Sequence, residues 1–393
     1  MSAHPALNLL STGIILFFSS SFFLIGSITL TKIGFGLLFM SWLLLFTTKY
    51  FILSPKTIYI YICIVFLFFI SLISVGWSSS YLLWLEHIIP FATSITTMIM
   101  AANFFARTSS SYKSAFIGFS LAAFASSILS LLQYKTGLFY MPGTEFRSIH
   151  NSSGGFRGNG FFTDPNYLGM FLIMSWPFVF LAFKRLDLKV GLLIIIFLGI
   201  LSTQSRASFI ILLIQITILY LAWSRRPIRS LFVYAIIFVV FGVLAFLFPG
   251  VLGFERAAET IYAVLLGESL DYSTMERADL FVTGLRMSFE YWLVGVGFGN
   301  FQNHSAVFMS FEPREVYAHN TYLTWSSELG IAGIALYVLM LHAFYKRLRT
   351  NKLIIISFLG LILQLNFLVA NTAPFLFLYF GALLAVVSRV DKI

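Results

Sequence analysis

Residues 184–226 read KRLDLKVGLLIIIFLGILSTQSRASFIILLIQITILYLAWSRR. Two apolar runs, 187–204 and 207–223, are joined by a turn at Ser205 and Arg206 and closed at their far ends by Lys184, Arg185, Arg225 and Arg226. Lys184 to Gln204 corresponds to about 31 Å of helix, and the return to Trp223 to about 25 Å. Both lengths approach the roughly 30 Å of bilayer hydrocarbon. The segment therefore predicts a membrane hairpin with cations at its open end and Arg206 at its tip, near headgroup depth.

The rest of the chain repeats this pattern. Of 393 residues 59% are hydrophobic, 18% aromatic and only 10% charged, with a mean hydropathy of +0.92. Soluble domains carry about 25% charged residues, so that class is excluded. Apolar runs near 8–30, 31–48, 57–77, 81–105, 114–134, 165–183, 187–204, 207–223, 230–249, 321–345, 353–371 and 373–388 predict twelve helices. The expectation is an all-α polytopic membrane protein, with 1–393 a single integral membrane domain. Residues 1–30 lack a basic n-region and an A-x-A site, so the first run reads as a retained helix. The lone Cys63 excludes disulfides and cysteine-based metal sites.

Charge sets the orientation. Of 25 Lys and Arg, 16 fall in one set of alternate loops and 9 in the other, while 13 of 15 acids lie on or near the second side. By the positive-inside rule the first side is cytoplasmic, with both termini inside. The long connections 135–164 and 250–320 then face outward, between the fifth and sixth and the ninth and tenth helices. The formal charge of +10 is explained by this anchoring beside membrane lipid, and no nucleic acid is implied.

The second loop has helical stripes. Phe254, Ala258, Ile261, Tyr262, Leu265 and Leu266 form one; Ala278, Phe281, Val282, Leu285, Phe289 and Trp292 form another, opposite Glu276, Asp279, Thr283, Arg286 and Glu290. These predict amphipathic helices lying on the membrane surface or capping the bundle; folding over the loops is the alternative. No D-x-D, H-E-x-x-H or P-loop occurs. Gly158-Asn159-Gly160 and Gly295-Val296-Gly297-Phe298-Gly299 read as tight turns. Within the spans only Glu86, His87, Glu328 and His342 are ionisable, few for an ion-driven transporter.

The polar residues cluster at the outer boundary. Arg157 precedes Asp164, a predicted N-cap, and Pro165, a predicted first helical residue. Arg277 opens an amphipathic helix, where it could simply pair with Glu276 or Asp279. Arg206 could likewise snorkel to lipid phosphate. Arginine nonetheless suits bidentate binding of a diphosphate, so several at one depth suggest an anionic lipid-linked substrate. His319 lies at a helix N-terminus, whose dipole keeps imidazole neutral and able to accept a hydroxyl proton. Asn320 beside it reads as a cap. Glu328, about 12 Å further along, reads as an orienting or structural partner.

These stretches resemble the O-antigen ligase and polymerase family, bacterial membrane glycosyltransferases that use polyprenyl-diphosphate-linked glycans. The resemblance rests on R-G-x-G-x-F-x-D-P-N-x-L-G from Arg157, T-Q-S-R-A-S at Arg206, R-x-D-x-x-x-x-G-L from Arg277, G-V-G-F-G-N-F at Gly295 and H-N-x-Y-L-x-x-x-x-E-x-G-x-x-G from His319. It covers roughly 157–340, while the first five helices match in hydropathy alone.

The resemblance implies about twelve spans, a large periplasmic loop between helices nine and ten, and inverting transfer without metal or cofactor. The implied donor is an undecaprenyl-diphosphate-linked glycan. The acceptor is lipid A-core for a ligase in lipopolysaccharide biosynthesis, or a growing glycan for a polymerase. Arg206 and Arg277 would hold the diphosphate and His319 would activate the acceptor hydroxyl. Arg157, Asn320, Tyr322 and Glu328 are assigned to substrate binding. The implied location is the bacterial inner membrane, with the site facing the periplasm. A lipid-linked glycan flippase is the competing class, but the two halves of the chain show no repeat.

Overall fold

The computed structural model describes residues 5–18, 23–25, 28–29, 32, 34–40, 55–106, 109–140, 144, 149–150, 155–224, 272–311 and 314–388. In chain order it places α1 (Pro5–Phe18), β1 (Phe23–Ile25), β2 (Ile28–Thr29), α2 (Ile58–Ile73), α3 (Tyr81–Ala106), α4 (Ser109–Thr136), α5 (Pro165–Ser175) and α6 (Phe178–Ala182). There follow α7 (Leu186–Ser202), α8 (Arg206–Trp223), α9 (Tyr272–Glu290), α10 (Phe301–Phe308), α11 (Thr321–Leu348), α12 (Lys352–Gln364) and α13 (Pro374–Val387). The two short strands pair antiparallel.

Among the described residues five helices are long and apolar enough to cross a membrane: Ile58–Gly76, Tyr81–Ala106, Lys113–Thr136, Arg206–Trp223 and Thr321–Leu348. Lys352–Gln364 and Pro374–Val387 are shorter apolar helices. This is the helical membrane architecture that hydropathy predicts. The run at 230–249 and the stripe at 254–266 lie outside the described residues.

Two expected helices are broken, each for a visible reason. The run 165–183 is interrupted at Trp176 and Pro177. Proline has no N–H for the carbonyl four residues back, and Ile173 O instead accepts from Gln215 Nε2 at 3.2 Å. Gln215 also donates to Ile356 O at 2.8 Å and accepts from Trp176 Nε1 at 2.7 Å. One buried amide thus joins α5, α8 and α12. The second break lies inside α11, where Gly330 has φ 63° and ψ −155° and Ile331 N turns to Trp292 O at 2.8 Å. The run 8–30 is helical to Phe18, beyond which the described residues are the pair β1 and β2.

The chain divides into two compact units. The first comprises Met1–Gly34, Lys113–Asp271 and Arg349–Gln364. Its helices approach through small residues: a Cβ on Gly199 would lie 2.3 Å from Ser127 Oγ, and one on Gly169 2.1 Å from Ser208 Oγ. Lipid tails are as apolar as leucine, so close packing of this kind is what associates helices in a bilayer.

The second unit comprises Phe35–Tyr112, Tyr272–Leu348 and Leu365–Ile393. Its core is aromatic. Trp325 stacks on Phe298 at 5.6 Å and meets Phe91 at 5.5 Å, and Phe91 meets Phe377 at 5.8 Å.

Candidate functional site

In the first unit, the polar segment 155–164 is threaded onto α4 and the turn between α7 and α8. Gln133, fully buried, accepts from Asn159 N at 2.9 Å and Gly160 N at 2.7 Å, and donates to Gly160 O at 2.9 Å. Gly158 N donates to Ser202 O at 2.8 Å. Arg157 is 5% exposed, and its Nε donates to Thr203 O at 3.0 Å. The Tyr140 hydroxyl donates to Arg157 O at 2.9 Å; burial pushes its pKa up to about 12, against the pull of the Arg157 charge. The predicted cap is present, with Asn166 N donating to Asp164 Oδ1 at 2.6 Å and Pro165 opening α5.

Arg206 is the first residue of α8 and is half-buried. Ser205 caps that helix, accepting from Ser208 N at 3.5 Å and Ser208 Oγ at 3.0 Å. Gln204 before it holds φ 50°, a left-handed value. The hairpin tip read from the sequence is therefore a tight three-residue turn, and Thr203 ties Arg157 to it. A guanidinium at a helix N-terminus, where backbone N–H groups also point outward, favours an anion.

The closeness of this threading gives a direct expectation. A Cβ on Gly158 would lie 2.1 Å from Ser130 Oγ and 2.3 Å from Ser130 O, and the backbone atom cannot rotate away. Gly158→Ala should destabilise the protein by about 1–3 kcal/mol. The check is thermal unfolding of detergent-purified protein; an unchanged melting temperature would show that the segment yields.

The second unit holds His319, Asn320, Tyr322, Glu328 and Arg277. His319 is exposed and has φ 47°, while Ala318 and Asn320 on either side are buried. Asn320 Oδ1 accepts from Leu323 N at 3.0 Å and its Nδ2 donates to Asn366 O at 3.2 Å. Thr321 N donates to Leu365 O at 2.9 Å. Thr321 Oγ1 donates to Leu368 O at 2.7 Å and accepts from Ala370 N at 3.0 Å. The turn bearing His319 is thus clamped by the segment after α12, which the sequence did not suggest. Tyr322 is half-buried, its ring 6.1 Å from that of Tyr337.

Glu328 is 2% exposed. It accepts from Phe301 N at 3.3 Å, and among the described residues its Oε2 has no hydrogen-bond partner. The glycine segment wraps this bend. Val296 N donates to Ser327 O and Gly297 N to Glu328 O, both at 2.9 Å. Phe298 N donates to Ser74 Oγ at 3.0 Å, and Asn300 Oδ1 accepts from Ser80 N at 2.8 Å. The glycine run is therefore a strap between the C-terminal end of α2, the start of α3 and the bend of α11, a tight turn as the sequence predicts.

Arg277 is half-buried in the second turn of α9. Of its two acidic neighbours, Glu276 pairs with Arg314, and Asp279 accepts from Ser310 N at 3.1 Å and Phe311 N at 3.0 Å. Arg286 donates to Phe308 O at 3.1 Å. The buried face of α9 is Leu280, Thr283, Gly284 and Met287; Arg286 and Glu290 of the polar stripe are exposed, and so are Phe281, Val282, Phe289 and Trp292 of the apolar stripe. A groove between α9 and α11 is lined by Leu285, Ser288, Phe289, Trp292, Leu323, Ser326 and Ile331.

Of the residues read from the sequence, Arg157 and Arg206 lie together in one unit and the other five in the other. Gln133, Thr321 and Tyr317 were missed; only Gln133 carried a signal, as an amide in an otherwise apolar run. Residues 191–338 match the O-antigen ligase family, a little over a third of the chain. The matched stretch includes Arg206, Arg277, His319, Asn320, Tyr322 and Glu328, and begins after Arg157. No curated protein matches the chain.

Proposed function

We propose that this chain, whose residues 191–338 are similar to O-antigen ligases, is an inverting glycosyltransferase. It moves a glycan from undecaprenyl diphosphate to a hydroxyl of lipid A-core on the periplasmic face of a bacterial inner membrane. The observation that carries the reading is His319. An exposed histidine in a left-handed conformation, between the buried Ala318 and the buried, hydrogen-bonded Asn320 and Thr321, holds backbone strain of the kind that collects at functional sites.

In this reading the acceptor hydroxyl attacks the anomeric carbon and His319 takes its proton. The bond from that carbon to the phosphate oxygen breaks, and polyprenyl diphosphate leaves with the bond's electrons. Arg206 and Arg277 meet the charge that gathers on it. Arg157, Asn320, Tyr322 and Glu328 serve substrate binding, Asn320 and Glu328 through the shape of the helix that carries His319. The exposed Phe281, Val282, Phe289 and Trp292 of α9 suit a helix whose apolar side meets lipid at the membrane surface, and the apolar groove beside α11 suits an isoprenoid chain. The outward loops and both cytoplasmic termini follow from the charge distribution.

The test is reconstitution of purified protein with polyprenyl-diphosphate-linked oligosaccharide and lipid A-core. Glycan on lipid A-core is the expected product. A ladder on the carrier would make the chain a polymerase, and donor crossing liposomes without product would make it a flippase. Arg206→Lys keeps the charge but loses the planar fork, so kcat should fall about 10- to 100-fold. Full activity in that variant would remove Arg206 from the diphosphate.

A further inference from the structure

Beside His319 lies a group of side chains that this reading leaves unused. Tyr317, two residues before it, is 47% exposed. Its ring is 6.1 Å from the His87 imidazole at 53°. Nδ1 of His87 is 2.8 Å from Leu83 O. A carbonyl only accepts, so Nδ1 is the donor of this pair, which leaves Nε2 for another partner. Phe298 meets that ring edge-on at 6.3 Å, and a Cβ on Gly299 would lie 2.7 Å from it, so the imidazole is wedged in one orientation.

Glu86 is exposed and is the one acidic residue of α3, and among the described residues it forms no ion pair. An ionisable residue on a spanning segment without such a partner points to function. It lies within electrostatic range of Tyr317, whose hydroxyl is pushed above its ordinary pKa by burial first, then by the charges of Glu86 and Glu328. The aromatic ring and the imidazole thus meet on the second unit, and the carboxylate is carried by the residue next to that imidazole on α3.

We propose that Tyr317, His87 and Glu86 form a platform for one sugar ring, set beside His319. A pyranose has a C–H face and a rim of hydroxyl groups. The half-exposed tyrosine supplies a flat apolar surface with a polar tip. The carboxylate accepts from two adjacent hydroxyls, and His87 Nε2 bonds a third. This rests on the transferase reading for which reaction it serves, but the binding itself does not depend on it. The ring belongs either to the acceptor or to the transferred glycan.

The experiment uses the full-length protein in detergent with two soluble probes: delipidated core oligosaccharide, and the donor oligosaccharide freed of its diphosphate. Saturation-transfer NMR reports binding, and transfer kinetics report KM and kcat. Glu86→Gln and Tyr317→Ala should weaken binding of one probe and raise the matching KM roughly tenfold, with kcat within about twofold, while Tyr317→Phe keeps the stacking surface and most of the binding. A raised KM for core assigns the platform to the acceptor, and a raised donor KM assigns it to the transferred glycan. Unchanged binding and KM in Glu86→Gln, the variant that remains if Tyr317→Ala fails to fold, would overturn the platform. So would equal binding by wild type and folded variants. Wild-type protein that binds sugar but transfers none would overturn the transferase reading and leave the platform standing.

Discussion

His319→Gly is expected to abolish glycan transfer without unfolding the protein. Positioned proton transfer contributes about 10²- to 10⁴-fold to rate, and no other imidazole stands within two residues of position 319. The stability side follows from the backbone. An L-residue at φ 47° carries about 1–2 kcal/mol of left-handed strain, which glycine relieves, while glycine costs about 0.5–1 kcal/mol in the unfolded chain's freedom. The two nearly cancel, so the melting temperature should move by a few degrees at most. His319→Ala keeps the strain and should be equally inactive. Transfer within tenfold of wild type in the glycine variant, measured on purified protein, would remove His319 from catalysis.

Gly295→Ala should have the largest effect on the fold. Gly295 has φ +75°, and its Cβ would lie 2.2 Å from both the carbonyl carbon and the oxygen of Glu328. Those are backbone atoms of α11 at the bend, already held by Gly297 N. Left-handed strain of about 1–2 kcal/mol adds to overpacking of about 1–3 kcal/mol, a large share of a typical 5–15 kcal/mol stability. Folded yield should fall sharply. Gly191→Ala is the control: nothing lies within 4 Å of its Cβ, and in the helical interior of α7 alanine should stabilise by about 0.5–1 kcal/mol. Equal melting temperatures for both variants would show that the strap is not rigid.

Much of the site was legible because its signals are local. Asp164 and Pro165 announce the start of α5, and the paired apolar runs around Arg206 announce a hairpin, because capping and hydropathy depend on a few adjacent residues. The stripe of α9 was legible as amphipathic, yet which side meets the protein was not. In water the apolar side turns inward, but here Glu276, Asp279 and Arg286 hold Arg314, Ser310, Phe311 and Phe308 while Phe289 and Trp292 are exposed. The break at Trp176 and Pro177 could have been read from proline alone, whereas the acceptor's new partner, Gln215, lies 42 residues away.

The sequence by itself determined that the chain is built of apolar helices suited to a membrane, because transfer free energy adds along the chain. The tertiary structure decided the strap of Gly295 to Gly299 around Glu328, the clamp of Asn366 and Leu368 on the His319 turn, and the meeting of Tyr317 with His87. Each of these pairs residues distant in sequence, and close approach between them depends on shape on both sides, which no single stretch encodes.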